Sequence, residues 1–174
     1  MKNWRKLLLL CAFPLIAACS TTLPENIQPV GNFQLARYLG RWYEIARLDH
    51  RFERGLSRVT ATYSLRDDGG VRVLNRGFDE ASGKWKEAEG KAYFVEDATT
   101  GHLKVSFFGP FYGAYGIFAL DPDYRYSLIS GPDSSYFWLL ARTPTLDEAE
   151  RKRLVSLAAS KGFDTSKLIF PAHD

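Results

Sequence analysis

The sequence predicts an all-β protein: an eight-stranded antiparallel up-and-down β-barrel with one C-terminal α-helix packed outside. Three observations carry that expectation. Apolar and polar residues alternate with period two in run after run, the pattern of strands with one buried face. Aromatic residues make up 14% of the chain, a content that favours strands. Short, turn-rich connections separate the runs, and only one stretch, near the C-terminus, carries helical signals. Closing the strands into a barrel removes the exposed edges that an open sheet presents; a two-sheet sandwich is the competing architecture.

The first run covers 42–48. In the second, Val59, Ala61, Tyr63 and Leu65 alternate with Thr60, Thr62, Ser64 and Arg66. Asp67-Asp68-Gly69-Gly70 then turns the chain tightly into 71–78. Further strands are expected over 84–96, 102–108, 114–120, 124–130 and 136–142. Thr145-Leu146-Asp147-Glu148 reads as a capping box, Asp147, Glu148 and Glu150 suit the positive end of a helix dipole, and Gly162 suits the C′ position. Ala149, Leu154, Leu157 and Ala158 would pack that helix on the barrel's outer wall, and Leu168-Ile169-Phe170 can add a last short strand.

The N-terminus is organised differently. Lys2, Arg5 and Lys6 precede a mostly apolar block of 12 residues, 7–18, which is a secretory signal too short to span a bilayer. Its end, Ile16-Ala17-Ala18-Cys19, resembles the lipobox of bacterial lipoproteins. That resemblance implies diacylglycerol on the Cys19 sulfur, cleavage before it and acyl chains on the new N-terminus. At ~0.8 kcal/mol per buried CH₂, more than one chain makes the anchor stable. Ser20 in the next position resembles the signal for export to the outer membrane, which puts the barrel in the periplasm. The expected organisation is a signal peptide over 1–18, a lipid-anchored flexible tether over 19–30, rich in Ser, Thr, Pro, Asn and Gln, and the barrel domain with its helix over 31–174.

Charge and chemistry exclude several classes of function. Of the 23 Lys and Arg residues, three lie in the signal, so the mature chain carries 20 basic and 20 acidic residues; no basic surface remains for nucleic acid. Cys11 falls in the signal and Cys19 at the anchor, leaving neither a disulfide nor a catalytic thiol. His50, His102 and His173 lack metal-ligand spacing, and neither a G-x-S-x-G elbow nor a P-loop is present. Glu44, Glu87 and Glu89 read as outward-facing charge. No catalytic residue, metal or cofactor is expected.

Three motifs then coincide. Gly40-Arg41-Trp42 heads the first strand, Asp121-Pro122-Asp123-Tyr124 links the sixth and seventh, and Arg142-Thr143-Pro144 ends the eighth. Together with the lipobox they resemble the lipocalin family in its bacterial outer-membrane lipoprotein form, over residues 31–171. The resemblance implies a structural role for Gly40, Trp42, Asp121, Tyr124 and Arg142. Strand parity brings all three motifs to one end, where a guanidinium over an indole is worth up to ~2 kcal/mol and residues 32–33 and 35–39 would plug the floor.

The same parity places 49–57, 79–84, 109–113 and 131–135 around the opposite rim, with Phe52, Phe111 and Tyr112 as an apolar mouth. The expected cup interior comprises Val59, Ala61 and Tyr63; Tyr93 or its neighbours Ala92 and Phe94; Val105 and Phe107; Tyr115 and Ile117; Tyr126 and Leu128; and Tyr136 and Trp138. Tyrosine hydroxyls in an apolar cavity suit a ligand with a polar head and a long tail. Arg47, Arg76 or Lys104 would meet an anionic head if one of them faces inward. The expected function is an outer-membrane-anchored protein that stores or transports fatty acids or lysophospholipids for envelope maintenance, as the resemblance implies. The alternatives are a structural or partner-binding envelope lipoprotein with a filled barrel and, more weakly, a pigment or haem carrier. A homodimer of two barrels is left open.

Overall fold

A computed structural model describes residues 20–174; the signal segment 1–18 and Cys19 lie outside the described residues. Eight antiparallel strands close into one barrel in sequence order: β1 (Gly40–Arg47), β2 (Leu56–Leu65), β3 (Val71–Asp79), β4 (Lys84–Phe94), β5 (His102–Phe108), β6 (Phe111–Leu120), β7 (Tyr126–Ser130) and β8 (Phe137–Ala141), with β8 returning to β1. The period-two pattern of 59–65 appears directly as alternating burial along β2. A short helix, α1 (Leu35–Tyr38), precedes the barrel and α2 (Glu148–Ser160) follows it.

The barrel is closed at the end where β1 begins. Phe33 and Tyr38 are buried there, and Leu35 and Leu39 pack beside them as a plug. Arg142 lies over the Trp42 indole at 3.9 Å and donates to the carbonyls of Arg37, Arg41 and Tyr124 at 2.7, 2.9 and 3.3 Å. Gly40 sits at φ +93° against the Arg142 guanidinium, a backbone conformation in which any other side chain is strained. Asp121 completes this end by accepting from the backbone N–H groups of Asp123 and Arg125 and from the Arg125 guanidinium. Those contacts, led by Arg125, hold its carboxyl below the ordinary range.

β1 and β2 pair only from Gly40 to Tyr43, and beyond that point the C-terminal segment fills the wall. Ile169 pairs with Arg47, Ala172 accepts from the Arg58 N–H at 2.7 Å, and His173 Nε2 lies 2.8 Å from the Glu44 carbonyl. The short strand expected at 168–170 is thus a single bridge. Among the described residues, the apolar core has two layers. One lines the barrel interior; the other packs α2 on the outer wall, with Leu154 and Ala158 buried against Ile45, Leu128, Phe137 and Leu139, each large side chain worth ~1.5–3 kcal/mol.

Two local expectations are corrected. The cap of α2 is Asp147, whose carboxylate accepts from Ala149 and Glu150 N–H, rather than Thr145; Ala149 consequently starts the helix on its exposed side. The C-terminus of α2 ends as expected at Gly162, φ +84°, with Gly162 and Phe163 N–H groups returning to Ala159 and Ala158. The second correction concerns the flexible tether over 19–30. From Ser20 onward this segment is docked: Ile27 is buried, Ser20 accepts from the Ala114 N–H, and Val30 exchanges backbone hydrogen bonds with Ile117 and Gly101. Leu23 and Ile27 join the outer apolar layer, so even a segment rich in polar residues holds its course.

Candidate functional site

The barrel encloses a cavity of about 90 Å³, against the ~10–15 Å³ that one water needs. It is below the ~300–1,000 Å³ usual for a small-molecule pocket. Val59, Ala61, Tyr63, Val105, Phe107, Tyr115 and Trp138 line it, as the alternation indicated. Ala92, one of the three candidates on its strand, lines it as well, and so do Phe33, Leu35, Tyr38, Val71, Val73, Asn75, Leu103 and Leu140, which the sequence reading had not assigned to the cup.

Other residues expected in the cup stand elsewhere. Phe94 and Ile117 belong to the interior cluster but not to the cavity wall; Phe94 packs edge-on against Phe33 in the floor. Tyr126 and Leu128 face outward under α2, where Tyr126 accepts from Arg153 at 2.7 Å. Tyr136 lies at the rim beside His50. Tyr93 is also outside, donating to Asp68. Of the expected mouth residues, Phe52 and Phe111 are exposed at the rim, whereas Tyr112 lies on the outer wall against Tyr93 and Lys104.

Toward the closed end three hydroxyls form a chain: Tyr38 and Tyr63 each lie 2.8 Å from the Tyr115 hydroxyl, and Tyr38 also reaches Ser127. Burial pushes all three upward, Tyr38 to about 12. These hydroxyls satisfy one another, so they do not call for a ligand's polar head.

Beneath the mouth lies a different polar cluster. Glu44 was expected on the outer face, but it is buried inside, 2% exposed, with Arg47 Nη1 2.5 Å from its Oε1. Glu87 and Glu89 do lie outside, paired with Arg76 and Arg72. Of the three candidate cations, Arg47 alone turns inward; Arg76 stacks on Trp85 and Lys104 lies over Tyr112. The β1–β2 loop folds over this cluster: Arg47 donates to the Glu53 carbonyl at 2.8 Å, Trp138 Nε1 donates to the Glu53 carboxylate at 3.1 Å, and His50 Nε2 stands 3.1 Å from the same carboxylate off the hydrogen-bond axis.

The electrostatics split the two acids. Burial, reinforced by Glu53, pushes Glu44 well above the ordinary carboxylate range despite Arg47. Burial works the same way on Glu53, but contact with His50, Trp138 and Arg47 outweighs it and holds Glu53 below that range. Two acids shifted in opposite directions and one guanidinium therefore share the site. Arg47 Nε and both ring nitrogens of His50 are buried with no hydrogen-bond partner, a condition that costs ~1–3 kcal/mol per group. A loop residue such as Glu53 carries no periodic signal, and Glu44 reads as one polar residue in an alternating strand; only the doubly buried run Glu44 to Arg47 set them apart.

A barrel plugged at one end, with an apolar shaft and unsatisfied polar groups under its mouth, defines a cup-shaped small-molecule-binding protein. The Lipocalin-like domain profile matches residues 33–173. The chain is 55% identical over 164 residues to outer membrane lipoprotein Blc of Vibrio cholerae, covering 94% of this chain and 95% of the relative. It is 54% identical over 159 residues to outer membrane lipoprotein Blc of Escherichia coli K12, covering 91% and 90%. The chain belongs to the lipocalin family. Insecticyanin from the tobacco hornworm Manduca sexta shares the fold, with a TM-score of 0.69 over 88% of this chain and 87% of that one at 24% identity.

Proposed function

We propose that the mature protein is an outer-membrane lipoprotein, acylated on Cys19 and facing the periplasm, that carries one single-chain lipid, a fatty acid or a lysophospholipid, inside its barrel for envelope maintenance. The observation that carries this reading is the pairing of a slim apolar cavity with the unsatisfied Arg47 and His50 nitrogens beneath its mouth. The acyl tail would run down the shaft between Val59, Val73, Leu103, Val105 and Phe107, and the head would stay at the Glu44, Arg47 and Glu53 cluster. Tail burial supplies most of the affinity and the head fixes the direction of entry. The relatives named outer membrane lipoprotein support the anchor, which the lipobox motif first indicated.

Two measurements test the reading separately. Oleate and lysophosphatidylethanolamine should displace a fluorescent fatty acid from the purified barrel saturably, at micromolar concentration or below. No saturable displacement by either would favour a barrel filled by its own side chains. Cys19→Ala should abolish membrane fractionation, and its retention in membranes would remove the anchor.

A further inference from the structure

We infer that the outer wall of the barrel carries a second binding site, separate from the interior shaft, for a compact amphipathic ligand with one negative charge: an aromatic or branched-chain carboxylate. Behind β1, the link 144–146, Arg151 of α2 and the C-terminal residues 170–174 close around Ile45 and leave a hollow of about 450 Å³. The barrel interior holds about 90 Å³, whereas this outer hollow falls inside the ~300–1,000 Å³ usual for a small-molecule pocket. The two hollows share no lining residue.

The chain builds this hollow and holds it open. Glu44 turns into the barrel, so Ile45, the next residue of β1, faces out and joins Leu146 in the outer apolar layer. The C-terminal segment is kept from collapsing onto them because it is fixed along its length. Ile169 exchanges backbone hydrogen bonds with Arg47, Ala172 accepts from the Arg58 N–H at 2.7 Å, and His173 Nε2 donates to the Glu44 carbonyl at 2.8 Å. Pro144 and Pro171, both in the lining, stiffen the link and the tail. A wall held in this way loses little freedom when a ligand enters.

Its chemistry selects the ligand. Phe170 is 47% exposed, and the Arg151 guanidinium lies 5.3 Å over its ring. Lys152 and Arg153, the neighbouring cations of α2, are engaged by Glu148 and Glu150, whereas Arg151 has no carboxylate within 4.0 Å among the described residues. A guanidinium beside an apolar floor and without a counter-ion suits a carboxylate, which its planar fork binds through two parallel hydrogen bonds. Phe170, Ile45 and Leu146 take up the apolar body. Asp174 also lines the hollow and repels further negative charge, which limits the ligand to one; a neutral compound forgoes Arg151.

Calorimetric titration of the purified protein with cinnamate, its neutral amide and the dianion terephthalate tests the site. Cinnamate should bind saturably, one per chain, with a millimolar Kd or tighter, and at least fivefold more tightly than either of the other two. Arg151→Gln should weaken it at least fivefold and Phe170→Ala at least threefold. Val105→Trp, which puts a bulky ring into the interior cavity that Val105 lines, should change it less than twofold. Backbone amide shifts on binding should gather at Thr145, Arg151, Phe170 and His173 rather than at Val59 and Ala61. Absence of saturable cinnamate binding overturns the inference, and so does equal binding of the acid and its amide. Loss of binding in Val105→Trp with retention in Arg151→Gln places the probe in the shaft, which overturns the outer site and leaves the interior reading intact.

Discussion

Arg47 Nη1 sits 2.5 Å from Glu44 Oε1 with both side chains shut off from solvent. Two buried charges of opposite sign need not stabilise a fold, because desolvation offsets their attraction. Here Arg47 also donates to the Glu53 backbone carbonyl, the Glu53 carboxylate sits beside His50 and Trp138, and burial pushes Glu44 above the ordinary range. The two acids near Arg47 are thus shifted in opposite directions, Glu44 upward and Glu53 downward.

This balance sets a pH dependence. The folded state holds the Glu44 proton more tightly than the unfolded chain does. Its contribution is therefore fully present below about 4.5, the ordinary value, and is lost as pH rises through the higher folded value. Glu44→Gln mimics the neutral acid and removes that loss. Denaturation followed upward from pH 4 should show the variant gaining on the wild type by up to about 1.4 kcal/mol per pH unit between the ordinary value and the higher folded one, and a gap that does not change with pH would refute the assignment.

At the closed end, Arg142 combines the indole contact with three carbonyls. Arg142→Ala forfeits up to ~2 kcal/mol of cation–π attraction and leaves acceptors unpartnered, so urea denaturation should show a loss of about 3 kcal/mol. Arg142→Lys keeps the charge without the planar fork and should recover less than half of it. Full recovery by lysine would mean that charge alone matters there.

The tyrosine chain gives an alkaline limit. Tyr38 ionises only at about 12 in the folded protein, against 10.0 for an ordinary tyrosine, so its stabilisation is intact below 10 and disappears as pH rises through about 12. Absorbance titration at 295 nm should show a class of tyrosines that ionises only with unfolding. Tyr115→Phe leaves the Tyr63 hydroxyl without its partner and should cost about 1–2 kcal/mol.

The strands were legible because one face of most of them meets solvent, so period two survives in residues such as Val59 to Leu65. β7 was misjudged for the opposite reason. Its outer face is covered by α2, its burial is nearly continuous from Ser127 to Ser130, and a bulge between Ile117 and Ala119 shifts the register on its neighbour. Alternation therefore could not say that Ile129 points inward while Tyr126 and Leu128 point out. The helix start slipped by two residues because Thr145 and Asp147 are both good caps. The docked course of 20–30 left no compositional trace, since its hold on the barrel is mainly backbone hydrogen bonding plus Leu23, Ile27 and Val30. Within the candidate site, the shaft was readable from strand parity, but the polar cluster was not: Glu53 and His50 come from a loop that folds back over the mouth, and only tertiary structure brings them to Arg47.

The claim on which everything else rests is that the barrel's hollow holds a single lipid chain. Val105 lines the cavity and is only partly buried, so Val105→Trp should fill the hollow at an overpacking cost of about 1–3 kcal/mol and leave the barrel folded. Titration of a fluorescent fatty acid into both proteins is the direct measurement: the account predicts saturable one-to-one binding to the wild type and at least a tenfold loss in the folded variant. Equal affinity in the two proteins would place the lipid outside the barrel and contradict it.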